Sequence, residues 1–456
     1  MAKKKKQKYF YPISKATLHQ YAASIFEPIK REECVTTVWV PMSGRRMWNK
    51  FIIENIDLFE KELPEYQKYL LTYIEPLDLT EESLKGYLRL MGTSLIETCR
   101  KHKEYVKRVD LEAVEKIFDQ DVVSYSKLLE TLKSLLREVT EFGYKVVFFF
   151  GEFDEIHFAN KVFYNNLKSL WDKFRPHLHY VFFTVIDLTT NEITDRLGEL
   201  NAVTLQNVIY VPIRQGEDID YIIDFFGERL GHQFSQRERM LLKKTCGGHP
   251  YLIKAGSRII SHFEGEKTRI EDLEEILMTH YEMLSVARRI FNLRTEREKD
   301  ILNRIILGES PRKSPSLKRM ISLGLVEEKK DGQYEISGQL LNQMAAKFKE
   351  EIQPKKGVKA DELYLDEGEG IVCCGGKPIE EKFTGQEYNV IKFFLEEPGK
   401  LRSREEIGEV MWGEESYEKF SNWAIDQLTS KLRKKLKQLE IRSKIVTVRG
   451  RGYKLV

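Results

Sequence analysis

The chain lacks the features that define several protein classes. It contains no run of about 18 apolar residues, so no membrane-spanning segment is predicted. The cysteines at positions 34, 99, 246, 373 and 374 do not have the spacing of zinc ligands, and they fit a reducing compartment. The net charge of the 456 residues is only +3, so charged partners must be inferred from local patches. We expect a cytoplasmic protein without a membrane partner.

The N-terminus, MAKKKKQKYFYPI, is basic but lacks the apolar segment of a secretory signal. It is predicted to be a solvated tail, with contact to nucleic acid or to a membrane surface as the alternatives. The apolar content of 41% is sufficient for several packed cores, and the length is typical of about three ordinary domains.

Short apolar runs predict a parallel sheet in the first half of the chain. The runs are Thr36–Val40, Tyr144–Phe150, His179–Asp187 and Asn207–Pro212. The second run has one lysine among seven residues, as expected of a strand that is buried on both faces. Residues 8–35 and the charge-rich segment 46–143 are predicted to be helical. Strands separated by helices predict an α/β layered domain that ends near residue 213.

The pattern after residue 213 is helical up to about residue 285, with a turn at Gly247–Tyr251. There, His249 beside Pro250 is interpreted as a turn residue, with a metal ligand as the alternative. Beyond residue 291, two helical segments precede two strands that are joined at Asp331-Gly332, which is a hairpin signal. Helix, helix and hairpin together predict a small winged helix.

The predicted fold class is multidomain α/β plus winged helix, with a parallel-sheet core, a helical lid and two C-terminal winged-helix domains. The predicted segments are a basic tail and N-terminal helix (1–29), an α/β domain (30–213), a helical lid (214–288), a first winged helix (289–348), a linker (349–362) and a second winged helix (363–456).

The last of these segments begins two helices with capping-box spacing, at Thr384 with Glu387 and at Ser403 with Glu406. The next helix is amphipathic. Its apolar face is predicted to consist of Ile425, Leu428, Leu432, Leu436 and Leu439. Its opposite face is predicted to carry Gln427, Ser430, Lys431, Lys434 and Lys437, with Arg433 beside them. The chain closes on a hairpin with the turn Gly450-Arg451-Gly452.

Positive charge is concentrated at this end of the chain. From Tyr417 onward, eleven Lys and Arg residues stand against Glu418, Asp426 and Glu440. A basic helix of major-groove width can lie among phosphates and base edges, and a basic hairpin beside it can reach the neighbouring backbone. The alternative is a solvated, lysine-rich surface.

The stretches FTGQEYNVIKFFLEEPGKLRSREEIGEVMWG, LRKKL and IVTVRGRGYKL closely resemble the winged-helix effector domain of OmpR/PhoB-type response regulators. The resemblance covers nearly all of residues 363–456 and implies double-stranded DNA as the partner. It also implies a recognition helix ending in Leu432-Arg433-Lys434, backbone contacts by Thr447 and Arg449, and a wing tipped by Arg451. A winged helix of this kind can also bind protein.

Three residues depart from that family's pattern. Trp423 stands where the family usually has a small polar or basic residue. Leu428 falls where a polar residue commonly faces the groove, and Thr429 falls at a usually apolar position. Phosphate contact is therefore better supported than base readout. No receiver domain precedes the unit, so regulation by aspartyl phosphorylation is not expected.

The stretch SGRRMWNKF has the spacing of a phosphate-binding loop, G-x-x-x-x-G-K-[ST]. Gly44 and Lys50 are present, while Asn49 replaces the second glycine and Phe51 replaces the hydroxyl residue. Asn adopts left-handed backbone more readily than most residues, which is compatible with the turn. Phe51 cannot ligate Mg²⁺.

Two further arginines and a second motif belong to this hypothesis. Arg45 and Arg46 either bind phosphate or pair with acids of a neighbouring domain, and the sequence leaves both open. VVFFFGEFDEI resembles the strand-end motif in which an Asp binds Mg²⁺ and the next Glu polarises water. Gly151 replaces that Asp, whereas Glu152 is retained. Asp154 and Glu155 are interpreted as acids at the start of a helix.

GRRMWNKF, FFFGEFDEI and GGHPYLI, in this order before a winged helix, resemble archaeal and bacterial P-loop ATPases of the STAND and AAA+ kind. The resemblance implies that the α/β domain, residues 30–213, has a P-loop-like core and is a degenerate P-loop NTPase-like domain. It also implies a nucleotide-binding switch, with Gly44, Arg45, Arg46, Asn49, Lys50 and Glu152 as its degenerate site. Because both metal-holding positions are lost, we expect ATP or ADP at most, without Mg²⁺-dependent hydrolysis.

These observations lead to one hypothesis and two alternatives. The chain is interpreted as a DNA-binding transcriptional regulator, not an enzyme, whose degenerate P-loop module is a sensor or assembly platform. That module is a candidate for self-association or for a protein partner. An ATP-dependent STAND-type switch using Lys50 and Glu152 is one alternative. The other is an interaction subunit of a larger defence or mobile-element complex.

Overall fold

Two units make up the computed structural model, Met1–Met344 and Ala345–Val456. The structure describes residues 12–102, 110–120, 122–189, 194, 196–263, 269–352, 362–366, 371–374, 377–379, 383–412, 421–439, 441–448 and 451–456. The predicted tail at residues 1–11 and most of the predicted linker, 353–361, lie outside these ranges. No helix within them combines the length and apolar character needed to cross a membrane.

The elements are numbered in chain order among the described residues. Those of the sheet region are α1 (Lys15–Lys30), β1 (Val35–Trp39), α2 (Arg45–Glu54), β2 (Tyr69–Ile74), α3 (Leu84–Lys101), α4 (Leu111–Phe118), α5 (Tyr125–Glu141), β3 (Lys145–Phe150), α6 (Lys161–Phe174), β4 (Leu178–Thr184), α7 (Asn201–Thr204) and β5 (Val208–Val211). Those that follow are α8 (Glu217–Leu230), α9 (Gln236–Cys246), α10 (Pro250–His262), α11 (Ile270–Thr279), α12 (Tyr281–Asn292), α13 (Glu296–Ile306), α14 (Pro315–Ser322), β6 (Val326–Glu328), β7 (Tyr334–Ile336) and α15 (Gln339–Ile352).

The five strands β1 to β5 form one sheet in the order β2-β3-β4-β1-β5, and each neighbouring pair is parallel. Alternate residues of a strand point to opposite faces of the sheet, so neighbouring residues should belong to different cores. Phe148 and Phe182 belong to a core with α3, α5 and α6, whereas Phe149 and Phe183 belong to another with α1 and α2. Helices cover both faces, which confirms the predicted parallel α/β sheet.

Strand β2 corrects the prediction that residues 46–143 are entirely helical. Its sequence, YLLTYI, is buried at five of six positions and pairs with β3 at the edge of the sheet. A short apolar run gives no periodicity that separates a buried strand from a buried helix, which is why the sequence pattern misled. The strand places Glu75 at the carboxyl edge of the sheet, directly after Ile74.

The lid and the first winged helix follow the predicted order. Helices α8 to α12 precede α13 and α14, and β6 pairs antiparallel with β7. Gly332 in the connecting turn has φ +79°, a conformation that glycine adopts without strain. Helix α15 then extends to Ile352, which is four residues into the predicted linker.

The backbone at the end of α9 and the backbone of the segment that follows β7 are in direct contact at Gly247 and Gly338, a contact that we call the glycine seam. Gly247 ends α9 with φ +57°, and a Cβ there would lie 2.4 Å from the carbonyl group of Ser337. Gly338 has φ +85°, and a Cβ there would lie 2.7 Å from the amide nitrogen of Gly247. Both positions therefore require glycine, for conformation and for space.

The C-terminal unit contains β8 (Leu363–Asp366), β9 (Ile371–Cys374), β10 (Lys377–Pro378), α16 (Gly385–Glu396), α17 (Arg404–Trp412), α18 (Asn422–Gln438), β11 (Ile445–Val448) and β12 (Gly452–Leu455). Strands β8, β9 and β10 form an antiparallel sheet, and β11 pairs antiparallel with β12. Both predicted capping boxes are present, at Thr384 with Glu387 and at Ser403 with Glu406. Three helices and a terminal hairpin confirm the predicted winged helix.

Candidate functional site

The loop between β1 and α2 is the first candidate site. It ends at Gly44, whose φ of +100° lies in the region that favours glycine. Helix α2 begins at the next residue, so Arg45 and Arg46 occupy its first two positions. The N-terminus of a helix at the carboxyl end of a parallel strand is a favourable place for an anion, because free amide groups point toward it.

The expected turn at Asn49 is wrong, because this residue lies inside α2. Its side chain is fully buried: Tyr21 donates a hydrogen bond to Oδ1 (2.9 Å), and Nδ2 donates to the Arg45 carbonyl (2.8 Å). Lys50 is therefore the sixth residue of the helix and does not stand at its start. Phe51 is 7% exposed and packs against Phe59 in the core. Gly44 and Lys50 keep the spacing of a phosphate-binding loop in the sequence, but the residues between them are helical and do not form a loop.

Each cation of this loop faces a carboxylate. The Nη2 atom of Arg45 lies 3.4 Å from Glu152 Oε1, and its Nη1 atom lies 3.6 Å from Asp154 Oδ1. Arg46 forms an ion pair with Glu75, and Lys50 Nζ lies 3.5 Å from Glu75 Oε2. Of the two roles left open for the arginines, pairing with acids is the one observed, although the acids belong to the same α/β domain.

Glu75 is the residue of this site that sequence reasoning missed. Only 2% of it is exposed, and burial raises the pKa of its carboxyl group, while Arg46 and Lys50 lower it. Recognition of YLLTYIE as a strand followed by an acid would have identified it, since side chains at strand ends meet at the carboxyl edge of a parallel sheet.

The end of β3 forms the other wall of this site. A Cβ on Gly151 would lie 2.8 Å from the Tyr73 hydroxyl and 3.0 Å from the Ile74 carbonyl oxygen, so an Asp in this position would crowd both groups. Glu152 has the left-handed φ of +46° and faces Arg45. Asp154 lies within a short 3-10 turn (Phe153–Glu155) and accepts hydrogen bonds from the Val185 and Ile186 amides (2.8 and 3.2 Å). Within the described ranges, no group of three or more His, Cys, Asp or Glu residues could hold a metal ion.

His249 confirms the predicted turn and connects the lid to the loop. It caps the N-terminus of α10, where its Nδ1 accepts a bond from the Leu252 amide (3.4 Å). Its Nε2 lies 2.8 Å from the carbonyl oxygen of Pro41 and therefore carries the proton. Burial lowers the pKa of His249 to about 4, so the ring is neutral at physiological pH. Both nitrogens are used within the fold and neither is left for a metal.

A buried ionic network joins the sheet to the first winged helix. Arg319 on α14 donates from Nη1 to Asp187 Oδ2 (2.6 Å), just beyond β4, and from Nε to Glu298 Oε1 (2.9 Å) on α13. Tyr210 donates to the same carboxylate of Asp187 (3.2 Å). Glu298 also closes a capping box with Thr295. Helix α14 is thus held toward the sheet.

The hairpin of this first winged helix is acidic. Glu327, Glu328, Asp331 and Glu335 outnumber its two lysines. Lys329 is shared between Glu327 (3.2 Å) and Glu335 (2.7 Å). A wing of this charge would repel a phosphate backbone, so the first winged helix is poorly suited to contact DNA.

Helix α18 of the C-terminal unit has the predicted two faces. Ile425, Leu428, Leu432 and Leu436 are buried in the core. The predicted polar face is exposed at Gln427, Ser430, Lys431, Lys434 and Lys437. Leu428 packs in the core, as predicted from the helical period. One detail is corrected: Leu439, predicted for the apolar face, is 36% exposed, because the helix ends at Gln438.

Arg433 connects this helix to the hairpin. Its Nε donates to the Ile445 carbonyl (2.7 Å) and its Nη2 to the Thr447 hydroxyl (2.7 Å). Arg433 and Thr447, both predicted to contact DNA, are therefore hydrogen-bonded to each other. Arg451 is exposed in the turn of the hairpin, as predicted. Arg449 lies outside the described residues.

A second set of hydrogen bonds, which was not predicted, connects α18 to α17 and to the hairpin. Arg404 on α17 donates from Nη2 to Asp426 Oδ1 on α18 (2.8 Å), and the Tyr453 hydroxyl donates to the same oxygen. These bonds, that of Tyr453 first, lower the pKa of Asp426. Arg404 thus neutralises Asp426, the one acid on the described part of α18, which reduces the repulsion between this acid and a phosphate.

Comparison with known proteins gives one family match and several similar structures. Residues 378–455 match the family described as transcriptional regulatory protein, C terminal. Among solved structures, the chain is similar to the Walker-type ATPase of Pyrococcus abyssi (12% identity, TM-score 0.43, covering 72% of this chain and 95% of that one). It is also similar to the ORC1 protein of Aeropyrum pernix in complex with DNA (10%, 0.41, 97% and 88%) and to the RuvB branch migration motor of Thermotoga maritima (11%, 0.32, 73% and 95%). No curated protein sequence matches the chain.

The family match confirms that the C-terminal unit is a winged helix of the OmpR/PhoB type. The degenerate character of the loop and STAND-type switching stay predictions.

Proposed function

We propose that the chain is a transcriptional regulator whose C-terminal winged helix binds double-stranded DNA, and whose N-terminal module is a sensor or assembly platform that does not hydrolyse ATP. The observation that carries this proposal is the exposed basic face of α18, opposite a face that is buried in the core.

The cations of the C-terminal unit fall into two groups. Arg404, Arg433 and Lys435 are bound to groups of their own unit, Lys435 through Glu387 (2.6 Å). Lys431 and Lys434 are exposed, and no carboxylate among the described residues lies within ion-pairing distance of them. The first group stabilises the fold, while the second is available to phosphates. This division favours a DNA surface over a generally lysine-rich one.

Salt-dependent binding tests the DNA proposal. The full chain and the double variant Lys431→Ala/Lys434→Ala are titrated with duplex DNA at several salt concentrations. Each lost phosphate contact should reduce the slope of log affinity against log salt by about 0.9, so the double variant should bind about sixtyfold more weakly at 0.1 M salt.

The matched control is Lys61→Ala/Lys116→Ala, which removes two exposed lysines of the N-terminal unit. It should leave both affinity and slope unchanged. Equal affinities of wild type and the Lys431/Lys434 variant would overturn the assignment of this face to DNA.

The absence of hydrolysis is proposed from the charges around α2. Hydrolysis needs a metal-holding hydroxyl and a strand-end Asp, whereas this chain has Phe51 and Gly151 at these two positions. The loop cations also have carboxylate partners already. A nucleotide phosphate would have to displace Glu75 from Arg46 and Lys50.

Phosphate release from ATP in the presence of Mg²⁺ measures this part of the proposal. We expect no turnover above buffer, and the same result for Lys50→Ala. Steady turnover by the wild type that disappears in Lys50→Ala would establish the ATP-dependent switch instead.

A further inference from the structure

One exposed stripe of α18 begins with an aromatic residue. Positions 423, 427, 430, 434 and 437 follow the spacing i, i+4, i+7, i+11 and i+14, which keeps them on one face of a helix. They are Trp423, Gln427, Ser430, Lys434 and Lys437, and all are exposed. Trp423 is 71% exposed and is not part of the core of its unit.

The chemistry of this stripe changes along the helix. Its C-terminal end is cationic, at Lys434 and Lys437, while its N-terminal end is uncharged and carries an indole and an amide. Asp426, the neighbouring acid, is already paired with Arg404. Phosphate contacts position a protein on DNA but carry no sequence information. The lysines can donate to phosphates or to guanine, whereas the uncharged end carries the groups that are suited to thymine and adenine.

We infer that Trp423 and Gln427 read an A·T-containing step in the major groove, with the indole of Trp423 against the methyl group of a thymine. This inference rests on the proposed function and extends it to the determinants of sequence preference. The thymine methyl is the apolar group that the major groove exposes, and Gln is suited to pair with the adenine edge. Recognition helices approach base edges with their N-terminal residues, where Trp423 stands. The lysines of the same stripe are complementary in charge to the flanking phosphates.

Selection from random duplex DNA tests this inference with the full chain. Wild type, Trp423→Ala, Gln427→Ala and Tyr281→Ala are compared, the last being a control that removes an exposed aromatic residue (84%) of the N-terminal unit. We expect the wild type and Tyr281→Ala to enrich the same site. Trp423→Ala should lose preference at a thymine of that site and Gln427→Ala at a nearby adenine, both with an unchanged salt slope.

A second measurement isolates the methyl group. The selected site is prepared with deoxyuridine in place of each thymine in turn, which removes one methyl group. A buried methyl contributes about 0.8 kcal/mol, so one replacement should weaken wild-type binding about fourfold. The same replacement should leave Trp423→Ala unaffected, because the partner of the methyl is already missing.

The outcomes separate this inference from the proposed function. If Trp423→Ala selects the same site with the same strength, or if no uracil replacement distinguishes it from wild type, the reading role of Trp423 is overturned while DNA binding stands. If the wild type enriches no duplex, both fall. If Trp423→Ala abolishes capture of a protein while DNA selection is unchanged, the stripe is a protein-binding surface and the inference is wrong.

Discussion

Glu75 places a buried carboxylate beside two cations of α2, at the edge of the sheet where an anionic ligand would otherwise approach. Its neighbours Arg46 and Lys50 keep a charge partner without any bound phosphate. The positive charges of Arg46 and Lys50 are therefore already compensated by a carboxylate of the protein itself. The site is better described as one in which a side chain occupies the role of the ligand.

Removal of this carboxylate should restore affinity for phosphates. Glu75→Gln keeps the size of the side chain but frees Arg46 and Lys50, so millimolar ATP without Mg²⁺ should raise the melting temperature of the variant. A dissociation constant tenfold below the ligand concentration corresponds to about 1.4 kcal/mol of stabilisation. The wild type should show little shift, measured by thermal unfolding with and without ATP.

Glu130→Gln is the control for Glu75→Gln, because Glu130 is paired with Lys133 on an exposed helix surface. It should respond to ATP as the wild type does. If the wild type is stabilised by ATP as strongly as Glu75→Gln, the internal carboxylate does not compete with phosphate.

Between elements, the ionic contacts of Arg319 decide how the first winged helix is held. Arg319 is only 12% exposed and serves Asp187 and Glu298, which are 7% and 3% exposed. Loss of one partner of a buried ion pair is costly because the remaining charge stays buried without compensation. Loss of Arg319 would leave two buried carboxylates, Asp187 and Glu298, without their shared guanidinium.

Arg319→Met should therefore lower the free energy of unfolding of the N-terminal unit by about 3–5 kcal/mol. The matched control is Arg304→Met on α13, whose pair with Asp300 (2.9 Å) is exposed and should contribute less than about 1 kcal/mol. Urea unfolding of both variants measures the difference. Equal stabilities would show that the network contributes nothing to the docking of α14.

The same elements show how far the sequence could predict this structure. Dense β-rich runs identified β1, β3, β4 and β5, and capping pairs marked the helices of the C-terminal unit, because these signals are local. Strand β2 was missed since its six residues give no distinctive period. The start of α2 at Arg45 agrees within one residue with the helical segment predicted from residue 46, whereas the turn expected at Asn49 was wrong, because that residue lies inside the helix.

Contacts between distant residues could not be predicted at all. Asp187 and Arg319 are 132 positions apart, and nothing in either local sequence points to the other. The same holds for Arg404 with Asp426 and Tyr453. Residue types at the two candidate sites were thus predictable, whereas their partners depended on the tertiary fold. That is why the cations of α2 were identified but not the carboxylate that neutralises two of them.

At the scale of the whole N-terminal unit, two buried neutral histidines make stability depend on pH. Burial lowers the pKa of both His179 and His249 to about 4. In the unfolded chain a histidine has a pKa of about 6.5, so below that pH the unfolded state binds protons that the folded state does not. The stabilisation is complete above about pH 6.5 and is lost progressively toward pH 4.

At pH 5.5 each of the two histidines should have lost about 1.4 kcal/mol of stabilisation relative to pH 7.5. His249→Asn removes one titrating group while an N-cap oxygen is retained, so the pH dependence of its unfolding free energy should be smaller by that amount. Denaturant unfolding at the two pH values gives this difference, in which other titrating groups cancel. His157→Gln, at an exposed histidine, should behave as the wild type. Identical pH dependence of His249→Asn and wild type would contradict a depressed pKa.

The glycine seam between α9 and the segment after β7 has a consequence for how this chain can change over generations. Every amino acid that replaces Gly247 or Gly338 adds at least a methyl group, and at both positions that group would overlap main-chain atoms of the other side. No change elsewhere in a side chain can create the missing space, because the obstacle is backbone. The lid and the first winged helix are therefore coupled in evolution. A substitution at either glycine is tolerated only if the backbone of the opposite segment shifts as well.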